Sequence, residues 1–167
     1  MEAGTKMETE KPTGERFEHD ARPLWTCPHC GHRFVAANMW HSCSNYTLEQ
    51  AFAGSTPELR QAFERFVQLV ERCGQVTVIA QRTRIVLQAR VRFAGATVLR
   101  DRLRLNFALA RKHDAPWLTK IESYGPRWNA HHFEIRQTTD LDALAELPAL
   151  LCESYNDLLQ QRALHRE

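Results

Sequence analysis

Three cysteines and one histidine form the strongest chemical signal in this chain. Cys27, Cys30, His41 and Cys43 lie in the segment WTCPHCGHRFVAANMWHSC, residues 25–43. A C-x-x-C turn lets two thiolates reach one ion, and sulfur with imidazole is a ligand set that zinc prefers. Four protein ligands complete a tetrahedron and leave no open position for a catalytic water. The segment therefore predicts a closed, structural zinc site.

The fourth ligand and the redox state of this segment have alternatives. His41 and Cys43 are closer in sequence than the helical H-x-x-x-H pair of C2H2 fingers, so they must lie on a second turn. His29, inside the first turn, and His32, just after it, are the rival fourth ligands; His41 is favoured because His29 would have to point away. Disulfide bonding is the other interpretation. The odd count of five cysteines and the lack of a signal-peptide pattern favour metal.

The remaining cysteines and the tryptophans of the segment have structural interpretations. Cys73 and Cys152 have no partner motif, and we predict that both are small core residues. Trp25 and Trp40 bracket the cysteine segment, and we expect them to form its apolar floor. The alternative for these tryptophans is stacking on nucleic-acid bases.

Basic residues are concentrated in the middle of the chain. Between Arg82 and Lys112 there are nine basic residues and one acid, although the net charge of the whole chain is only +2. Guanidinium groups pair well with phosphates, and neighbouring aromatic rings can stack on bases. The alternative is a solvated face, or arginines paired with acids of the same chain. The candidate ligand-binding residues are Arg84, Arg90, Arg92, Arg102, Arg104 and His132, with Tyr124 and Trp128 nearby.

Catalysis has little support in the sequence. His131 and His132 are adjacent in a predicted strand, so they point to opposite faces and cannot easily bind one metal ion together. The chain has no Ser-His-Asp order, no phosphate-binding glycine loop and no paired-carboxylate motif. We therefore assign no catalytic residue.

The secondary structure follows from two changes of hydrophobic period. Residues 57–73 have apolar side chains at helical spacing, with Pro57 near the first turn and Gly74 as the stop, and a shorter helical turn is possible at 47–52. Residues 76–79, 84–93 and 102–109 then alternate with period two, and the Ala-Gly-Ala sequence at 94–96 suggests a turn. Residues 117–123 and 128–136 are further strands separated by a turn at 124–126. A helical pattern returns from Thr139.

These elements predict an α+β fold. An antiparallel sheet of four to five strands should carry N-terminal and C-terminal helices on one face, leaving an arginine-rich face uncovered. The predicted organisation is a disordered tail at 1–22, a zinc-knuckle module at 23–46 and an α+β domain at 47–163. No apolar run approaches the roughly 20 residues that span a bilayer. We expect a cytoplasmic protein with no membrane partner.

The segments LWTCPHCGHRF, NMWHSC, VTVIAQRTRIVLQARVRFAGA and PRWNAHHFEI together resemble an uncharacterised bacterial family, the domain of unknown function 5655 family. The resemblance covers residues 24–160. Related domains occur alone or joined to restriction-type nuclease modules and other DNA-associated modules, so by analogy the resemblance implies an association with nucleic acid. It implies no activity that can be placed on residues.

Three hypotheses of function follow. The first is a non-catalytic binding protein with structural zinc, whose sheet arginines bind nucleic acid or a phosphorylated small molecule. The second is an enzyme of unknown reaction with a pocket around His132 and the sheet arginines, using His132 with Glu134 or Tyr124. The third is a protein-interaction adaptor. The lack of a nucleophile motif favours the first.

Overall fold

The structure, a computed structural model, describes residues 23–41, 43 and 45–164, with side chains up to residue 157. The predicted disordered tail at 1–22 lies outside the described residues. In chain order the elements are β1 (Trp25–Thr26), β2 (Arg33–Phe34), α1 (Leu48–Ala51), α2 (Pro57–Glu71), β3 (Thr77–Ala80), β4 (Ile85–Gln88), β5 (Arg92–Val98), β6 (Leu103–Leu109), β7 (Lys120–Ser123), β8 (Asn129–Ile135), α3 (Thr138–Asp142) and α4 (Leu147–Leu164).

The described part of the chain contains a six-stranded antiparallel sheet in the order β3-β4-β5-β6-β8-β7, and a two-stranded sheet of β1 and β2. The predicted α+β class with an antiparallel sheet is confirmed, with six strands in place of the four or five expected. Strand β6 lies inside the sheet, between β5 and β8. Apolar and polar residues alternate along most of it, and its apolar side chains on one face are fully buried: Leu103, Leu105, Phe107 and Leu109.

Helices α2, α3 and α4 cover that apolar face. Leu59, Phe63 and Phe66 of α2 join Leu150 and Leu151 of α4 in one core with the sheet strands. Helix α2 begins with Pro57 and stops before Gly74, whose φ of +153° and contact with the ring of Tyr155 leave no room for a side chain. The helix prediction for 57–73 is confirmed, and the short turn at 47–52 is α1, with a capping box between Thr47 and Gln50.

One turn prediction is wrong. Residues 94–96 do not form a turn but lie inside β5, and β4 ends at Gln88, where the pairing register shifts. Gly95 is in this strand because β4 approaches closely: a Cβ there would lie 2.7 Å from the carbonyl oxygen of Ile85. An Ala-Gly-Ala sequence therefore indicates close strand contact here instead of a turn.

The N-terminal module contacts the open face of the sheet, the face without helices. The Gln88 side-chain amide donates a hydrogen bond to the carbonyl oxygen of Arg33, and the Arg92 guanidinium lies 5.9 Å from the ring centre of Phe34. Phe34 is buried and forms the floor of the module. The floor prediction is wrong for Trp40, whose exposed fraction is 90%.

Cys73 and Cys152 are joined by a disulfide, so the prediction that they are unlinked core residues is wrong. The bond joins the residue just after α2 to α4, across 79 positions of sequence. No sequence motif marks such a long-range pair, because only the packing of the two helices brings the cysteines together. None of the helices in the described ranges has the length and apolar character needed to cross a bilayer.

Candidate metal centre and open-face cleft

Cys27, Cys30, His41 and Cys43 converge in the N-terminal module. One possible ligand atom from each residue lies within 4.8 Å of the others. The Sγ atoms of Cys27 and Cys43 are 3.7 Å apart, and the Nε2 atom of His41 lies 3.2 Å from Cys30 Sγ and 3.0 Å from Cys43 Sγ. Neither His29 nor His32 belongs to this group. The four residues can hold one metal ion.

The backbone holds His41 in the tautomer that a metal ligand needs. His41 Nδ1 donates a hydrogen bond of 2.6 Å to the carbonyl oxygen of Met39. Because a carbonyl oxygen can only accept, the proton is on Nδ1 and the lone pair of Nε2 faces the sulfurs. The C-x-x-C turn is closed by the Gly31 amide, which donates to the carbonyl oxygen of Cys27 at 2.9 Å.

The thiols of Cys27 and Cys43 differ in acidity. Burial opposes ionisation of Cys27, but amide hydrogen bonds from Cys30 and His29 and contacts with the other thiols lower its pKa to about 6. Desolvation and the neighbouring Cys27 and Cys30 raise the pKa of Cys43 to about 11. Three clustered sulfurs therefore resist ionising together, and a bound cation would remove that repulsion.

A cleft of about 270 Å³ lies on the open face of the sheet. Its floor follows one cross-strand row in which Val86, Gly95, Asn106 and His132 are paired in register. The next row contributes only the small side chains Ala108 and Ala130. The missing side-chain volume over three central strands produces the concavity.

Arginines and aromatic rings border the cleft. Arg84 and Arg92 line it together with Tyr124 and Trp128, and no carboxylate is among the described residues that line it. Arg84 donates to the amide oxygen of Gln81 at 3.1 Å. Burial lowers the pKa of Arg92, and the positive charge of Arg84 lowers it further. The guanidinium groups of Arg84 and Arg92 therefore repel each other and line the cleft without an acidic partner among the described residues.

The other predicted arginines lie elsewhere. Arg102 and Arg104 both form ion pairs with Glu134, at 2.8 and 3.1 Å, and lie outside the cleft. Arg90 lines a second cavity beside the N-terminal module. The open face thus carries both kinds of arginine that the sequence left as alternatives. Some pair with acids of the same chain, and others line a cavity.

His132 is the titratable group on the cleft floor. Its Nε2 atom lies 3.1 Å from Glu122 Oε2 without hydrogen-bond alignment, and the Tyr124 hydroxyl donates to the same oxygen at 3.0 Å. Burial lowers the pKa of His132, although the charge of Glu122 opposes the shift. A neutral imidazole here can donate or accept a hydrogen bond with a bound group. The predicted partners of His132 were Glu134 and Tyr124; its acidic neighbour in the structure is Glu122, for which the sequence gives no signal.

His131 points to the opposite face, as predicted for an adjacent pair. It is completely buried and stacked on Phe107 at 5.3 Å between ring centres. Its Nε2 atom accepts a hydrogen bond of 2.9 Å from the backbone amide of His113, while its Nδ1 atom has no partner within the described residues. His131 is therefore a core residue held in the neutral form.

Acid is expected to destabilise the fold through His131. Burial lowers its pKa below the ordinary 6.5, despite hydrogen bonds to the backbone, and the charges of His113 and Arg111 lower it further. Below about pH 6.5 the unfolded chain binds the proton more tightly, so stability is lost as the pH falls toward the folded-state pKa. In urea unfolding, His131→Gln should lose less stability than the unchanged protein between about pH 7.5 and pH 5. Equal losses in both proteins would contradict this assignment.

Two features of the cleft have weak signals in the sequence. Asn106 follows Arg104 by two residues in β6, so the sequence predicts that both side chains point to the same face of the sheet. The position of Asn106 at the centre of the cleft floor depends on strand pairing and was not predictable. Its side-chain amide makes no hydrogen bond to any described residue. Gly95, Ala108 and Ala130 leave space for the cleft because their side chains are small or absent. Only the strand register brings these three positions together.

Comparison with known proteins gives a family but no function. No curated protein and no solved structure matches the chain at a significant level. The family described as Domain of unknown function (DUF5655) matches residues 48–157, which contain the whole six-stranded sheet, helices α1, α2 and α3 and the first part of α4. Cys27, Cys30, His41 and Cys43, which could hold a metal ion, lie outside the matched range. With most of its length matched, the chain belongs to the DUF5655 family.

Proposed function

We propose that this protein is a non-catalytic binding module that holds a phosphate-bearing ligand, with nucleic acid the first class to test, in the open-face cleft. The observation that carries the proposal is the pair Arg84 and Arg92, which line the cleft and have no acidic partner in the part of the chain that the structure describes. Guanidinium groups form two parallel hydrogen bonds with phosphate oxygens. An anionic ligand would remove the repulsion between them.

The rest of the cleft suits the base or ring of such a ligand. Trp128 and Tyr124 offer aromatic surface, and stacking on aromatic rings accepts any base. The side-chain amide of Asn106, which has no hydrogen-bond partner among the described residues, provides both a donor and an acceptor on the floor. A volume of about 270 Å³ is close to the lower limit of small-molecule pockets, roughly 300 Å³, which suits one nucleotide-sized group.

The metal in the N-terminal module is, in this proposal, a structural zinc ion held by Cys27, Cys30, His41 and Cys43. In a tetrahedral site with Zn–S bonds of about 2.3 Å, two sulfurs lie roughly 3.8 Å apart. The distance of 3.7 Å between Cys27 and Cys43 supports that assignment. Zinc would supply charge compensation for the clustered thiolates and a fixed loop conformation.

Removing both cleft arginines is expected to abolish most binding. Labelled single-stranded and double-stranded DNA and RNA are titrated with the zinc-loaded protein over a salt series. In the Arg84→Gln, Arg92→Gln variant we expect affinity to fall at least about tenfold per arginine, as charged hydrogen bonds are lost. For a single strand, the log–log salt slope should shrink by about 1.4, because two phosphate contacts are removed.

The matched control is Arg102→Gln, Arg104→Gln, which removes the same charge from the same sheet face. Because Glu134 pairs with both of these arginines, their loss should leave affinity within a few-fold. Equal losses in the two double variants would mean that general charge attracts the ligand, and the cleft assignment would then be wrong. The ligand is recovered after incubation, since chemical change in it would favour the enzyme alternative based on His132 and Glu122.

A further inference from the structure

A second cavity of about 190 Å³ lies between the sheet and the loop that carries Cys27, Cys30, His41 and Cys43, called here the metal-binding loop. The loop side contributes Phe34, Met39 and Trp40, and the sheet side contributes Arg90 and Arg92. Trp128 completes its wall. Cationic and aromatic groups therefore border this cavity as they border the open-face cleft.

The two cavities are adjacent on the surface. Arg92 and Trp128 line both, so one guanidinium and one indole ring stand at the boundary between them. Arg92 is held in place by its contact with the Phe34 ring, 5.9 Å away, which ties the boundary to the metal-binding loop. A ligand longer than one nucleotide could follow this path without leaving the surface.

Trp40 lines the second cavity and does not line the open-face cleft. Its exposed fraction is 90%, against 67% for Tyr124, and its ring makes no aromatic contact with a described residue. The next residue, His41, belongs to the metal-binding group, so a bound ion would fix the backbone on which Trp40 stands. A fixed, exposed indole is suited to stacking on an unpaired base.

We infer that the ligand is a single-stranded nucleic acid that occupies both cavities. One base lies in the open-face cleft, a phosphate contacts Arg92, and a neighbouring base stacks on Trp40. The metal-binding loop is then part of the ligand surface in addition to being a folded module. This inference rests on the proposed function. A duplex does not fit, because stacked and paired bases cannot enter the cleft singly.

The test compares ligands of increasing length on the zinc-loaded full chain. Affinities are measured for a nucleoside monophosphate, a dinucleotide, a single strand of about ten nucleotides and a hairpin duplex, as DNA and as RNA. We expect the single strand to bind at least about tenfold tighter than the monophosphate. Trp40→Ala should remove that gain and leave monophosphate binding and zinc content unchanged, whereas Trp40→Phe should keep most of it.

If Trp40→Ala loses its zinc, crosslinking to the unaltered protein tests the inference instead. A single strand carrying photoreactive bromouracil is irradiated with the unaltered protein, and the crosslinked peptide is identified by mass spectrometry. A crosslink at Trp40 supports the inference, and a crosslink confined to the cleft overturns it. Monophosphate binding that needs Arg84 and Arg92 but gains nothing with length would overturn this inference alone. Binding that ignores those arginines would overturn the proposed function.

Discussion

Replacing Cys27 with serine is expected to release the metal and unfold residues 24–46 while the sheet stays folded. Cys27 is the most buried of the four ligands and receives the amide hydrogen bonds of the C-x-x-C turn. Losing a ligand should weaken metal binding by more than the roughly 10–100-fold cost of losing a residue that hydrogen-bonds a ligand. Structural zinc contributes about 10–16 kcal/mol to the folding of small zinc modules, so the loop should not stay ordered without it.

Metal content measures the release of the ion, and hydrogen exchange measures the unfolding of residues 24–46. We expect about one zinc ion per chain in the unaltered protein and much less in Cys27→Ser, with fast exchange confined to residues 24–46. His29→Asn and His32→Asn are the matched controls, because both histidines neighbour the turn but lie outside the metal-binding group. Fast exchange across residues 48–157 as well would show that the metal organises the whole core.

The independence of the sheet is the physical basis for that expectation. The large core contains side chains from α2, the sheet, α3 and α4, and among the described residues of the N-terminal module Val35 alone packs against it. Contacts between described residues of the module and the sheet include a hydrogen bond from Gln88 and a ring contact of Arg92. These few contacts can be lost without exposing the main core.

The group of three cysteines and one histidine that could hold a metal ion was predictable because its residues are close in sequence. Cys27 and Cys30 share one turn, and His41 and Cys43 follow within a short loop, so spacing alone identifies the group that the structure brings together. Similarly, β6 and α2 were predictable because their buried residues recur with a fixed period. Local patterns of this kind do not depend on the rest of the fold.

The cleft could not be predicted because it depends on register between strands. The shift between Leu87 and Gln88 ends the alternation that the sequence suggested would run to residue 93. Pairing of Gly95 with Asn106, and of Asn106 with His132, then places the cleft floor across three strands. A change of register by one residue would turn these side chains to the helix face.

Long-range charge pairing was equally hidden. Glu134 is 30 positions from Arg104, yet it forms ion pairs with both Arg104 and Arg102, and Asp101 forms a second ion pair with Arg102. Arg84 and Arg92 have no such acid among the described residues that line the cleft. The basic segment was evident from composition, but only the fold separates the arginines that face a cavity from those already paired.

Truncating Phe107 to alanine is expected to cost about 3–5 kcal/mol of stability. Phe107 is fully buried in β6, and its ring lies 5.3 Å from the His131 ring, 6.1 Å from Phe133 and 6.3 Å from Trp117. The change leaves a cavity that these rings cannot fill, because each is held by the strand or loop that carries it. Domains of this size have total stabilities of about 5–15 kcal/mol, so the variant should be close to unfolding.

Urea unfolding at neutral pH measures this loss, with Arg104→Ala as the control on the same strand. Arg104 projects from the opposite face and is half exposed, so its removal should change stability by about 1 kcal/mol or less. An unchanged slope with a shifted midpoint in Phe107→Ala would indicate a cavity in an otherwise intact fold. If Phe107→Ala cost no more than Arg104→Ala, the helices could not be packed on β6 as described, and the open face would not be the uncovered side of the sheet.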